Sequence, residues 1–336
     1  GSFLGGRIVD RRSDPLRLFA FLEGTIAVYC FFLPWLIQGA EPVYRWIYQN
    51  THTSFYLFSL IRFVFAGIVL LIPATFMGAT LPILARFFVR SLERVGYPVG
   101  VLYSINTFGA VLGGSAAGFL LIPSLGVTLT IRTACLLNAL VATAAYLLYR
   151  RLGDDVAEIH PKQEETPKKS EDPRVGRAKE KSRRPSPVPE AGRIVYGPRE
   201  GRVLLIGYGI SGFAALVYEI AWTRALSLLI GSSVYAFSMI LTAFVLGIAL
   251  GSMAYARFVD RVRDPMRTLA VIQAAIGLSA LPVVPLIGHL PFWVTGMISR
   301  FGSSFWQLQA VEFALIVAVI LLPTTLMGAA FPLASR

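Results

Sequence analysis

SSVYAFSMILTAFVLGIALGSMA, residues 232–254, runs for 23 positions without a charged side chain. As an α-helix it extends about 35 Å at 1.5 Å per residue, enough to cross a hydrocarbon core of about 30 Å. Comparable runs lie at about 16–38, 54–80, 99–122, 128–149, 203–223, 267–288 and 306–330, so eight spanning helices are expected. The composition agrees. Of the 336 residues 55% are hydrophobic and 15% charged, against about 25% charged in soluble domains. Ten of the 19 acidic residues and all five lysines fall between Arg150 and Arg202, which leaves the rest almost uncharged. A soluble enzyme, a secreted disulfide scaffold and a wholly disordered chain are excluded. Cys30 and Cys135 both sit in apolar runs, with neither a metal-ligand spacing nor a disulfide framework. No metal or cofactor is expected.

The net charge of +12 would suggest nucleic acid for a soluble protein, but in a membrane protein it first reports cytoplasmic loops. Taking alternate loops as cytoplasmic collects Arg7, Arg11, Arg12 and Arg17; Arg86, Arg90 and Arg94; fourteen basic residues in the linker; Arg257, Arg261, Arg263 and Arg267; and Arg336. The opposite side holds only Arg45, Arg132, Arg224 and Arg300, so the short loops alone set the orientation. An inner (plasma) membrane location with a cytoplasmic linker follows as the expectation. The segments 41–48, EPVYRWIY, and 291–306 mix aromatics with single charges and read as outer-interface pieces. Residues 150–200, rich in Pro, Lys, Glu and Ser, cannot bury enough apolar surface to offset chain entropy and read as a disordered tether. They separate a first bundle, 1–149, from a second, 201–336.

The two bundles are related. Residues 1–20, GSFLGGRIVDRRSDPLRLFA, align without gaps on residues 251–270, GSMAYARFVDRVRDPMRTLA, with ten identities. The same offset of 250 places LIPATFMGATLPILAR (71–86) on LLPTTLMGAAFPLASR (321–336), with Pro73/Pro323, Thr75/Thr325, Met77/Met327, Gly78/Gly328 and Pro82/Pro332 in register. An even number of spans separates the copies, so they point the same way, and parallel repeats are a transporter architecture. The second bundle has two spans ahead of its GS…VDR…DP loop, and the first has two spans after its proline-rich segment. A complete unit would be six spans and the parent twelve, of which this chain would be the third to the tenth.

Two loops, GRIVDRRSDPLR (6–17) and ARFVDRVRDPMR (256–267), resemble the signature loop of the major facilitator superfamily, with Asp14-Pro15 and Asp264-Pro265 standing where that family usually has Gly-Arg. The resemblance implies a cytoplasmic gate role for Asp10, Arg11, Asp260 and Arg261, beside the plainer reading of a positive-inside anchor followed by a proline-started helix. Residues 211–252 carry Ser211-Gly212, Tyr218-Glu219, Trp222, Arg224, Gly231-Ser232-Ser233 and a closing Gly-Ser. With the Pro-x-x-x-Met-Gly segments at 73 and 323 and Ser104-Ile105-Asn106-Thr107-Phe108-Gly109, they look like the membrane domain of fused major-facilitator/spermidine-synthase-like proteins. That resemblance implies an all-α, major-facilitator-like repeat bundle and, by its usual fusion partner, a polyamine-related solute. The soluble aminopropyltransferase-like domain has no counterpart in these residues.

The Gly207-x-Gly209-x-x-Gly212 pattern in RVLLIGYGISG imitates a dinucleotide fingerprint. It lacks the acid about 20 residues later that would bind a ribose, and the apolar run continues through it. Close helix packing through small residues is the expectation there, as at Gly109/Gly113, Gly114/Gly118 and Gly247/Gly251.

Charges inside the spans carry the functional expectation, because each costs at least about 2.5 kcal/mol and normally meets a partner or a watery cavity. They are Glu23, Arg62, Glu219 and Glu312, with Arg224 near a helix end, Trp222 beside it and Asn106 as a polar contact. Arg62 and Glu312 are repeat equivalents, and the expectation is that they face each other between the halves, directly or across a cavity. Transport of a small polar or cationic solute by rocking of the halves is the favoured function. The alternatives are a membrane anchor or substrate-channelling module for an aminopropyltransferase domain, and a non-transporting scaffold.

Overall fold

The computed structural model describes residues 1–3, 5–6, 14–50, 54–88, 96–159, 198–259, 262, 264–301 and 304–334. Their regular elements are helical: α1 (Pro15–Asn50), α2 (Phe55–Phe88), α3 (Gly96–Ala116) continued by a π-helical turn (Ala117–Leu121), α4 (Ile122–Ile159), α5 (Pro198–Ile230), α6 (Val234–Val259), α7 (Pro265–Ala280), α8 (Val283–Phe301) and α9 (Phe305–Ala334). Seven runs are long and apolar enough to cross a bilayer, which makes this a multi-pass helical membrane protein. The longest run, Pro98–Leu152, has 55 residues. Unbroken, it would measure roughly 80 Å, far beyond one bilayer. It breaks at Gly126, whose φ of 77° and ψ of 170° suit a residue without Cβ, so this run contains the two spans expected at 99–122 and 128–149.

The other elements start and end for local reasons. Pro265 occupies the first turn of α7, and the Asp264 carboxylate accepts the Arg267 backbone N–H at 3.0 Å, an N-cap that serves one of the helix's orphan donors. The repeat-equivalent α1 starts at Pro15, with the Asp14 carbonyl accepting the Leu18 N–H at 3.2 Å. Gly231, at φ 109°, makes the turn from α5 into α6. Several boundaries differ from expectation. The interface piece at 41–48 simply continues α1, held by an exposed Glu41–Arg45 pair one turn apart at 2.6 Å. The span at 267–288 is interrupted by a turn at 281–282. Helix also extends from residue 150 to Ile159 and resumes at Pro198, so both ends of the expected tether are helical. Residues 160–197 lie outside the described residues.

Contacts give the direction of each helix. The Tyr29 hydroxyl donates to the Val69 carbonyl at 2.9 Å, Tyr44 meets Phe65 with ring centroids 5.5 Å apart, and Leu22 clusters with Ala79 and Ile83, so α1 and α2 run antiparallel. Gly24 lies against Ala142, and the Arg132 guanidinium sits 5.8 Å from the Trp35 ring centroid, so α1 and α4 are antiparallel too. By contrast α6 and α9 run side by side in the same direction, from Tyr235 on Phe305 (5.3 Å between centroids) to Ile248 on Gly328. This order of directions is the one that successive crossings of a bilayer produce.

The largest core belongs to the second bundle. Trp222 and Leu226 of α5, Met239, Ile240, Ala243 and Phe244 of α6, Ala280 and Val283 at the α7–α8 turn, Leu290 of α8, and Ile316, Val319 and Ile320 of α9 form one buried cluster.

Candidate functional site

The two bundles meet chiefly along α3 and α6. The pairing is antiparallel and follows a stripe of small residues. A Cβ at Gly118 would overlap the Ser238 side chain, one at Gly114 would lie 3.5 Å from Thr242 Oγ1, and one at Gly100 would lie 2.7 Å from the Ala256 Cβ. At the Gly100 end the buried Ser252 hydroxyl donates across the seam to the Gly100 carbonyl at 3.4 Å. Where surrounding lipid is as apolar as leucine, helices associate through such close van der Waals packing and short polar contacts. Ser104 and Thr107 turn their hydroxyls onto their own helix, donating to Gly100 and Tyr103 carbonyls at 2.7 Å each. The Thr242 hydroxyl, 4% exposed, has no hydrogen-bond partner.

Aromatic pairs close both ends of the seam. Tyr103 stacks on Phe331 of α9 with centroids 4.0 Å apart. At the other end Phe119 approaches Tyr235 at 5.9 Å, Tyr235 meets Phe305 at 5.3 Å, and Phe305 meets Trp306 at 5.3 Å.

Beneath that second aromatic group lies Glu312, the only buried Asp, Glu, Lys or Arg among the described residues. Phe305, Gln309, Glu312 and Ile316 follow one another at helical spacing down one face of α9. Glu312 is 6% exposed, and its carboxylate accepts a long hydrogen bond, 3.5 Å, from Gln309 Nε2. The Gln309 carbonyl oxygen is buried and has no donor. An uncompensated acceptor away from water costs the desolvation of that group.

The other expected residues are distributed as follows. Trp222 is buried, stacked on Tyr218 at 5.1 Å and set against Phe244 at 6.4 Å, so it serves the core that supports the Glu312 face of α9. Glu219 is half-exposed on the same stretch of α5, and Arg224 is exposed. Glu23 is half-buried on α1, beside the Gly24–Ala142 contact, and Asn106 is exposed on α3. Arg62 is exposed on α2, its guanidinium carbon 5.9 Å from the ring centroid of Phe58 one turn earlier on the same helix. Arg62 and Glu312 form no ion pair, so the direct pairing expected from the repeat is not made. α2 packs on α1 and α3, whereas α9 packs on α6 and α7, so equal register in the sequence does not bring the two side chains face to face. Asp10, Arg11, Asp260 and Arg261 lie outside the described residues.

The glycine expectations divide. Gly114, Gly118, Gly247 and Gly251 sit in close helix contacts, whereas a Cβ at Gly109, Gly113, Gly207, Gly209 or Gly212 would meet nothing within 4 Å. The glycines of the false fingerprint lie in the middle of α5 and pack no neighbour closely. What α5 does contribute there is Ser211, whose hydroxyl accepts from Gln273 Nε2 of α7 at 2.6 Å.

Sequence reasoning missed Gln309 and the hydroxyl stripe. Gln309 stands three residues before an intramembrane acid, one helical turn, and Ser238, Thr242, Ala249, Ser252 and Ala256 recur at helical spacing. Neither residue set carries a charge, and an uncharged polar residue in an apolar run has no distinguishing mark until its neighbours are known. No protein-family model, no curated protein and no solved structure matches the chain.

Proposed function

We propose that the protein is a transporter whose two bundles move against each other along α3 and α6, carrying a small polar or cationic solute across the inner (plasma) membrane. The observation that carries this reading is the seam: the main contact between the bundles is the antiparallel pairing of α3 and α6, in which Gly100, Gly114 and Gly118 face Ala256, Thr242 and Ser238, with aromatic pairs at its two ends. A contact of that kind can change angle at little steric cost. The repeat supports it. A Cβ at Gly1 would overlap the Thr75 carbonyl, and one at Gly251 the Thr325 carbonyl, so equivalent residues meet in both bundles. In this reading the chain is a major-facilitator-like bundle belonging to a twelve-span parent, residues 150–200 are cytoplasmic, and a polyamine is the first solute to try, on the strength of the resemblance to spermidine-synthase-like fusions.

A specific observation favours a second reading, a membrane anchor or channelling module for a soluble aminopropyltransferase domain. Arg62 and Glu312 each find their nearest partner on their own helix, Phe58 and Gln309, as a static bundle would arrange them. Flux separates the two. In proteoliposomes a transporter takes up labelled spermidine with saturation, and oxidising the pair Gly114→Cys with Thr242→Cys stops uptake until reductant is added. An anchor shows no saturable uptake in any form.

A further inference from the structure

The chain's two cysteines lie on α1 and α4, and the fold brings them to one level of the first bundle. Both are free thiols. Cys135 is buried while Ala134, Leu136 and Leu137 around it are exposed, so it lies on the covered face of α4. α4 packs chiefly on α1, which supplies that cover. The register follows from two contacts. A Cβ at Gly24 would lie 3.9 Å from the Ala142 Cβ. Seven residues, about two helical turns, separate Glu23 beside that contact from Cys30, and the same number separates Ala142 from Cys135. Because the helices are antiparallel, both steps lead to the same place. From the other side, Arg132 rests on Trp35 one turn from Cys135 and five residues beyond Cys30. Cys30 is half-buried whereas Phe31 and Phe32 are exposed, so at this level α1 turns its cysteine inward, and the two thiols are neighbours across the contact.

Cys30 lies thirteen residues from Arg17, and Cys135 fifteen from Arg150, so each is about 20 Å along its helix from the basic end. In a hydrocarbon core of about 30 Å both thiols are inside it. The 3.9 Å approach at Gly24 also shows how close α1 and α4 run, since a disulfide takes a Cβ separation of roughly 3.5–4.5 Å. We propose that Cys30 and Cys135 form a disulfide within the bilayer, made by a lipid-soluble quinone, that fastens α1 to α4. Two S–H bonds break, one S–S bond forms, and the two electrons and two protons released pass to the quinone, which becomes a hydroquinone. No charge is left in hydrocarbon, where a thiolate would leave one. The oxidant class follows from the depth: an oxidant confined to water does not reach the sulfurs, whereas Cys30 borders the exposed Phe31 and Phe32. The bond closes a loop that contains α2 and α3, and so ties down the first bundle's side of the α3–α6 seam. Nothing in it depends on the transport reading.

The full chain in lipid nanodiscs, incubated with a fully substituted decyl-benzoquinone that cannot add to thiols, then denatured and treated with maleimide, tests this without any solute. The number of alkylatable thiols is expected to fall from two to none, the intact mass to drop by two hydrogens, and dithiothreitol to restore both thiols. A non-reducing digest of the same sample should contain one peptide pair joining Cys30 to Cys135, a readout that needs no variant. Cys30→Ser and Cys135→Ser should each keep one alkylatable thiol after the same treatment. A wild-type chain that retains both thiols, or that links to a second copy through them, overturns the proposal. Oxidation by ferricyanide, which stays in water, at the rate seen with the quinone overturns the assigned class of oxidant.

Discussion

Helices α2 and α9 carry the two copies of one motif, yet they live in different surroundings. Of the apolar window of α2, 6% is buried, against 44% for α9. Local contacts are nevertheless shared: Gly1 and Gly251 approach the carbonyls of Thr75 and Thr325. The difference lies in what flanks each copy. α9 is lined by α6 and by α7, α8 and parts of α5 and α3, whereas α2 meets α1, residues 1–5 and α3. The repeated serines show the same split. Ser2 donates within its own bundle, to the Gly78 carbonyl at 2.7 Å, while Ser252 donates across the seam to Gly100. A repeat thus conserves its nearest backbone approaches and leaves side-chain environment to the neighbours, which is how equivalent positions come to hold an exposed Arg62 and a buried Glu312.

The comparison is most open to being broken at the paired glycines. A Cβ at Gly328 would overlap the Ile248 carbonyl, backbone that cannot swing away, whereas one at Gly78 would lie 3.3 Å from the Gly1 Cα at the start of the chain. Gly328→Ala is expected to destabilise the bundle by about 1–3 kcal/mol, the usual cost of overpacking, and Gly78→Ala by clearly less. Equal losses on denaturant titration in mixed micelles would show that the two copies are equally constrained.

A smaller effect is expected at the helix starts. Asp264 caps α7 through its side chain, so Asp264→Ala should cost about 1 kcal/mol, while Asp264→Asn or Asp264→Ser, which retain the acceptor, should cost a few tenths. The same titration reads this. A loss that Asn and Ser fail to restore would mean that the carboxylate's charge matters there and the cap does not.

The smallest expected effect is a coupling close to zero. With Arg62 on the exposed flank of α2 and Glu312 in the core of α9, the exchange Arg62→Glu with Glu312→Arg should show additive damage, within the roughly 0.5 kcal/mol typical of sites without shared partners. Partial rescue in a double-mutant cycle would place the two charges in contact in another state of the bundle. That outcome would also strengthen the transport reading.

Much of this was legible beforehand, at particular positions. Pro265 announced a helix start, and the run from 232 to 254 announced α6, because both depend on residues adjacent in sequence. The gap between the spans expected at 99–122 and 128–149 holds Gly126, where the 55-residue run breaks, but the packing roles of the other glycines were not legible, since a lone glycine in apolar surroundings looks the same whether it packs, bends or does neither. Gly109 and Gly118 show why: the first faces open space and the second faces Ser238, and only the partner helix distinguishes them. Gln309 was passed over for a related reason. Its importance comes from a buried oxygen without a donor, a property of its surroundings.

The amino-acid sequence by itself determined that the chain is a bundle of membrane-crossing helices built on a repeated segment. Apolar length, the placement of arginines and self-similarity are one-dimensional properties, and hydrocarbon leaves a lone chain segment little choice but to satisfy its backbone as a helix. Only the tertiary structure decided which small residues form the seam between α3 and α6, and that Glu312 is buried while Arg62 is exposed. Between helices in a membrane no hydrophobic force selects one face over another. The selection is made by close packing and by paired polar groups, and both exist only once the partner helix is in place.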